Sequence, residues 1–154
     1  MTESKYENVI ALRRVFATLA RMDWRKKMKW TLKGSEVRLL IALKEANSKP
    51  CLEGLTVSDL SKLLQVTSPT VTQMLNSLMK DGYVNRTVHS SDRRIVEITL
   101  TDKGAQIAQD SQEMITTIFS GLIDHLGKEQ SDQLIELLTQ SLDYFDQLDD
   151  ERQR

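Results

Sequence analysis

At 154 residues, with 40% apolar and 28% charged side chains, the chain can bury one sizeable core and has the composition of an ordinary globular protein. Two prolines, six glycines and 5% aromatics leave few helix breakers and favour a mainly helical fold, and no apolar run reaches the ~18–20 residues of a membrane span. The start MTESKYEN lacks the basic and apolar regions of a signal peptide, and Cys51 alone cannot build a disulfide framework, so a cytoplasmic protein is expected.

The net charge of −1 hides a strong asymmetry. Residues 1–50 carry twelve basic and five acidic side chains, residues 51–104 six of each, and residues 105–154 three basic and eleven acidic. A polyanion responds to the surface it meets, because salt screens charges beyond about 8–10 Å. The near-neutral total therefore does not exclude a nucleic-acid partner.

Val9, Leu12, Phe16 and Leu19, widened by Ile10 and Val15, recur at helical spacing and predict an amphipathic helix over about 6–22. The basic stretch Arg21 to Lys33 reads as a solvated turn in which Trp24 and Trp30 plug the core. A second helix is predicted from about Ser35 to Ala46, broken by Asn47-Ser48-Lys49-Pro50. Thr56 and Asp59 form a capping-box start for a short helix whose buried face is Val57, Leu60, Leu63 and Leu64. After a tight break at Gln65-Val66-Thr67, Ser68 suits an N-cap and Pro69 the first helical position. Val71, Leu75 and Leu78 fall on one side of that helix, which Asp81-Gly82 ends with a left-handed cap.

The period then changes to two. Tyr83 to Val88 and Ile95 to Leu100 read as two strands around a polar tip, His89-Ser90-Ser91-Asp92-Arg93-Arg94. Thr101 caps a long helix, with Ala108, Ile115, Ile118, Leu122 and Ile123 along it and Gly127 as its stop. The last helix, from about Ser131, carries Leu134, Leu138, Ser141, Phe145 and Leu148 as a packed seam.

A short helix, a tight turn, a Pro-started helix and a basic-tipped hairpin make a winged helix-turn-helix. The second short helix is slim enough for a major groove, where each base pair shows its own donor and acceptor pattern. Its outward residues are small and polar: Thr67, Ser68, Thr70, Thr72, Gln73, Asn76 and Ser77. Such hydroxyls and amides reach phosphates and base edges without holding the helix off the groove, and Gln pairs bidentately with adenine. Arg86 on the first strand and Arg93 or Arg94 at the tip are candidate DNA contacts, since a narrow minor groove attracts Arg. Asp92 would orient an arginine by an ion pair. An arginine pair on a loop is, in isolation, solvated charge; the helices before it give it a candidate role.

The stretch LTVSDLSKLLQVTSPTVTQMLNSLMKDGYVNRTVHSSDRRIVEITLTDKG, Leu55 to Gly104, resembles the DNA-binding core of the MarR family of bacterial regulators. The resemblance rests on the capped first helix, Thr70-Val71-Thr72, Leu78, Gly82, Asp92-Arg93-Arg94, and Leu100-Thr101 before Gly104. It covers about a third of the chain, and the flanking helix order agrees with the family over nearly all of it. It implies one domain over 1–154: a winged helix-turn-helix lobe at 31–104 and dimerisation helices at 5–30 and 105–150 that interlock into a triangular homodimer. The fold class expected is mainly α with a small antiparallel β wing. The function implied is sequence-specific transcriptional regulation, by repression at a pseudo-palindromic operator on double-stranded DNA. By position, the recognition helix is Ser68 to Lys80 and the wing arginine most suited to DNA is Arg94. Many relatives carry basic residues where this chain has Gln73 and Ser77, which shifts weight onto the wing and the basic N-terminal half.

Relatives often release DNA when a small aromatic effector binds. Phe16, Met22, Trp24, Met28 and Trp30 are either the lining of such a ligand pocket or plain core. Cys51 is either a redox sensor or an inert thiol; only Lys49 is a near cation to depress its pKa. His89 and His125 have no Cys or Glu cluster beside them, so no metal and no cofactor is expected. No Gly-rich phosphate loop, HExxH or GxSxG is present, and the carboxylates Asp143, Asp146, Asp149 and Asp150 form an acidic tail, so an enzyme is not expected. The rival reading is a winged-helix protein–protein adaptor that never touches DNA. An adaptor has no need of Asp92-Arg93-Arg94 or of small polar residues along the recognition helix.

Overall fold

The computed structural model describes residues 3–48, 55–88 and 96–152. Its elements are α1 (Glu3–Ala20), α2 (Trp24–Lys27), α3 (Gly34–Asn47), α4 (Val57–Leu64), α5 (Ser68–Lys80), β1 (Val84–Val88), β2 (Val96–Leu100), α6 (Asp102–Leu126) and α7 (Lys128–Arg152). The mainly helical fold with a two-stranded wing is the one expected. Two compact units divide the chain, Met1–Ser111 and Gln112–Arg154.

In the first unit the core lies where α3, α4 and α5 meet the wing. Leu39, Leu40, Leu43, Leu60, Val71, Leu75, Leu78, Val84, Ile98 and Ala108 are buried together. Each fully buried Leu, Ile or Val among them contributes roughly 1.5–3 kcal/mol. The strands pair antiparallel with Val84 opposite Leu100 and Arg86 opposite Ile98. Val84 and Ile98 therefore share the sheet face that meets the core.

Four local readings need correction. The basic stretch is not only a turn: Asp23 accepts from the Lys26 N–H at 3.0 Å and starts the one-turn helix α2. Met28 is the residue buried there, at 4% exposure, whereas Trp24 stays 40% exposed. Leu63 is 60% exposed rather than buried. Residues advance about 100° each, so Val57, Leu60 and Leu64 cluster while Leu63 falls roughly 90° from their mean. Finally, α7 starts at Lys128, directly after Gly127 at φ +81. One left-handed glycine makes the whole break, and Ser131, already inside α7, returns its hydroxyl to the Gly127 carbonyl at 2.8 Å.

In the second unit the C-terminal part of α6 and α7 line an apolar groove of about 310 Å³ with Phe119, Leu122, Ile123, Leu126, Leu134, Ile135 and Leu138. Most of these side chains are exposed in the single chain, as are Tyr6, Val9, Leu12, Val15 and Leu19 of α1. Among the described residues no helix is long and apolar enough to cross a membrane.

Candidate nucleic-acid interface

The turn between α4 and α5 is built from local bonds. Thr56 caps α4 reciprocally with Asp59: the Asp59 carboxylate accepts from the Thr56 N–H at 2.9 Å and hydroxyl at 2.5 Å, and the Thr56 hydroxyl accepts from the Asp59 N–H at 3.2 Å. These bonds, the hydroxyl's first, hold the Asp59 carboxyl below its ordinary pKa, with Lys62 adding a smaller pull. At the other end of α4, Gln65 adopts φ +53, and Val66 N–H reaches the Ser61 carbonyl at 3.1 Å. The Ser61 hydroxyl returns to the Val66 carbonyl at 2.6 Å, locking the turn from both sides.

Thr67, not Ser68, is the N-cap of α5. Its backbone is extended (φ −70, ψ 152) and its hydroxyl accepts from the Thr70 N–H at 3.4 Å. Ser68 is thereby the first helical residue and Pro69 the second. The missing proline N–H still falls among first-turn groups with no intrahelical partner, so the shift costs nothing.

Four apolar residues of α5, Val71, Met74, Leu75 and Leu78, face the core, while Thr67, Ser68, Thr70, Thr72, Gln73, Asn76 and Ser77 are exposed. The structure thus brings these seven polar candidates onto the solvent side of one element. Three hydroxyls are partly engaged: Thr72 donates to the Ser68 carbonyl at 3.0 Å, and Thr67 and Thr70 share a hydrogen bond at 2.8 Å. Thr72 is left with acceptor capacity only, which suits a base amine rather than a phosphate. Arg86 is exposed on β1. Asp92, Arg93 and Arg94, with His89 and Cys51, lie outside the described residues.

The far end of α5 is tied to the start of α6. Gly82 takes φ +75, and the Thr101 hydroxyl donates to its carbonyl at 2.7 Å while accepting from the Gly104 N–H at 3.0 Å. The Thr101 N–H reaches the Tyr83 carbonyl at 3.1 Å. The Lys103 ammonium donates to the Asp81 carbonyl at 2.8 Å and sits 4.3 Å from the Tyr83 ring centroid. One residue, Thr101, therefore caps α6 and fastens the wing's exit strand to the end of α5.

Sequence reasoning left one neighbour of α5 unread. The start of α3 lies alongside it, and Lys33, Ser35 and Glu36 share a cleft of about 320 Å³ with Thr70, Gln73, Met74 and Ser77. Some 35 positions separate the two segments, so no local spacing announces the pairing. Glu36 is only 7% exposed and accepts from the Lys33 N–H at 3.1 Å, which fixes the entry to α3.

The five candidate effector residues separate by environment. Met28 is buried, Met22 and Trp30 are half-buried, and Phe16 and Trp24 are more exposed. Trp30 lines a shallow cleft with Asp23, Arg25, Lys26 and Lys29, which the other four do not line. The Trp30 indole N–H is buried and has no hydrogen-bond partner among the described residues. Among those residues there is also no cluster of His, Cys, Asp and Glu able to hold a metal ion.

A model of the MarR family matches residues 50–96. The HTH-type transcriptional repressor YetL of Bacillus subtilis (strain 168) is 32% identical over 85 residues, 54% of this chain and 50% of that protein. The HTH-type transcriptional regulator BilQ of Clostridioides difficile (strain CD3) is 30% identical over 87 residues, 56% of each. The chain thus spans about half the length of the curated relatives it matches. In fold it is similar to the S. aureus MepR–DNA complex, with a TM-score of 0.69 at 24% identity over 88% of this chain and 96% of that one. The matched segment, which is similar to the MarR family, runs from before α4 to the start of β2, and the helices on either side of it follow the fold of the MepR structures.

Proposed function

We propose that this chain is a homodimeric, sequence-specific DNA-binding transcription regulator that represses by occupying a pseudo-palindromic operator. The observation that carries the reading is the two-sided character of α5 and its N-cap: four buried apolar residues anchor it, and seven polar residues lie exposed on the side that would enter a major groove. Thr67 to Ser77 read the groove, Arg86 and the wing arginines Arg93 and Arg94 hold the flanking backbone or minor groove, and Asp92 orients them. The repressor name of YetL and the DNA in the MepR structure support this assignment.

The lobe at 31–104 carries DNA, and helices within 5–30 and 105–150 carry the dimer. Support for the second part is the row of large apolar side chains left exposed on α1, α6 and α7, among them Leu12 at 60%, Ile135 at 60% and Leu142 at 63%. A small aromatic effector relieves repression, with Phe16, Met22, Trp24, Met28 and Trp30 as its candidate contacts and Trp30 as the one that lines the cleft described above. The cationic rim beside Trp30 supports an acidic effector.

Protection footprinting of the gene's own upstream DNA tests the proposal. The expected pattern is two protected half-sites about one helical turn apart. A chain that protects no part of that DNA, yet captures another regulator, belongs to the adaptor class instead.

A further inference from the structure

We infer that Lys33 and Ser35, at the start of α3, form a second DNA-backbone contact beside the recognition helix; the inference rests on the DNA-binding reading of α5. The cleft between the two segments opens on the solvent side of α5, where Thr70, Gln73 and Ser77 stand. A helix lying in a major groove has a phosphate strand along each edge, so whatever lines the cleft's other wall meets that strand. That wall is made of Lys33, which is exposed, and Ser35, which is half-buried.

Charge decides where in the cleft the strand passes. Glu36 is a buried carboxylate, and a phosphate placed against it would meet like charge in a poorly hydrated setting. The floor therefore repels the backbone, and the rim attracts it through the Lys33 ammonium and the Ser35 hydroxyl. Glu36 serves the contact by position: its hydrogen bond to the Lys33 N–H holds the residue at the mouth of the cleft. From Lys33 the positive surface continues backward. Trp30 packs beside Gly34, its ring 3.4 Å from where a Cβ would stand, and the cleft that Trp30 lines carries Arg25, Lys26 and Lys29. A strand leaving the major groove over Lys33 thus meets further cations. This gives the basic N-terminal third of the chain a use that the small polar face of α5 does not supply.

A phosphate contact has a signature distinct from base reading: each one adds about 0.9 to the slope of log affinity against log salt. The test compares wild type, Lys33→Ala and Lys33→Arg by anisotropy titration on the upstream duplex and on a scrambled duplex, across a fourfold rise in salt. Lys33→Ala keeps its main-chain N–H and hence the Glu36 bond, and a thermal melt verifies folding. Lys33→Ala is expected to weaken binding to both duplexes alike. With one such contact from each protomer of the dimer, wild type should lose about 12-fold more affinity than this variant over the salt range. Lys33→Arg should retain the wild-type slope. Wild-type binding with an unchanged slope in Lys33→Ala overturns this inference alone. No salt-sensitive binding by the wild-type chain overturns it together with the DNA-binding reading.

Discussion

Gly104 lies so close to Tyr83 that a Cβ on the glycine would fall inside the van der Waals contact distance of the Tyr83 carbonyl oxygen and 2.9 Å from its carbon. That carbonyl already accepts the Thr101 N–H, so it cannot turn away without loosening the clamp between α5, the wing and α6. Gly104 is a helical residue, and the reason for glycine here is approach, not backbone freedom. Gly104→Ala should cost about 3 kcal/mol or more, since overpacking against backbone does not relax as a side chain would. Chemical denaturation measures it, and a cost below about 0.5 kcal/mol would refute the contact.

Gln65 occupies the left-handed region, where a side chain is disfavoured by roughly 1 kcal/mol. Gln65→Gly should stabilise the fold by about 0.5–1 kcal/mol, the gain reduced by the greater freedom glycine brings to the unfolded chain. The midpoint of denaturant unfolding should rise without a change in slope. A fall in the midpoint would mean that the Gln65 side chain holds the turn.

Asp59 and Thr56 give a sign for pH. The folded carboxyl titrates below its ordinary value of 3.8, so its contribution is present above that pH and is lost as pH falls through the lowered folded value. Asp59→Ala should lower the melting temperature at neutral pH. The gap from wild type should close in acid, when the wild-type carboxylate is protonated too. A gap independent of pH would contradict the capping role.

Ile135 and Leu142 are 60% and 63% exposed on α7. Polar substitution at a solvent position is nearly neutral for one chain but costs roughly 1.5–3 kcal/mol per buried copy in a dimer. In a two-fold interface each change counts twice. Ile135→Lys or Leu142→Lys should therefore raise the dimer dissociation constant about a hundredfold or more, with the single chain still folded. Sedimentation at micromolar concentration reads the outcome, and variants that remain as dimeric as wild type would place the interface elsewhere.

Much of this molecule is legible in its sequence because its signals are local. Thr56-Asp59, Gly82, Thr101 in its bond to the Gly104 N–H, and Gly127 each act within three or four residues along the chain, so spacing alone locates the ends of α4, α5 and α6. The alternation of polar and apolar residues along α5 likewise separates its two faces. The errors arise where local chemistry offers two solutions. Thr67 and Ser68 are both good caps, and the extended backbone at Thr67 chooses the first. Leu63 is apolar but off the stripe. What spacing cannot reach is nonlocal: the Lys33–Glu36 edge beside Gln73 and the Gly104–Tyr83 approach both depend on how elements pack.

The central claim is that this chain reads DNA in pairs. Titrating it against its own upstream duplex and a scrambled duplex at two salt concentrations tests that most directly. The expected result is tighter, salt-sensitive binding to the upstream duplex with two chains per site. Equal, weak binding to both duplexes, indifferent to salt, would contradict it.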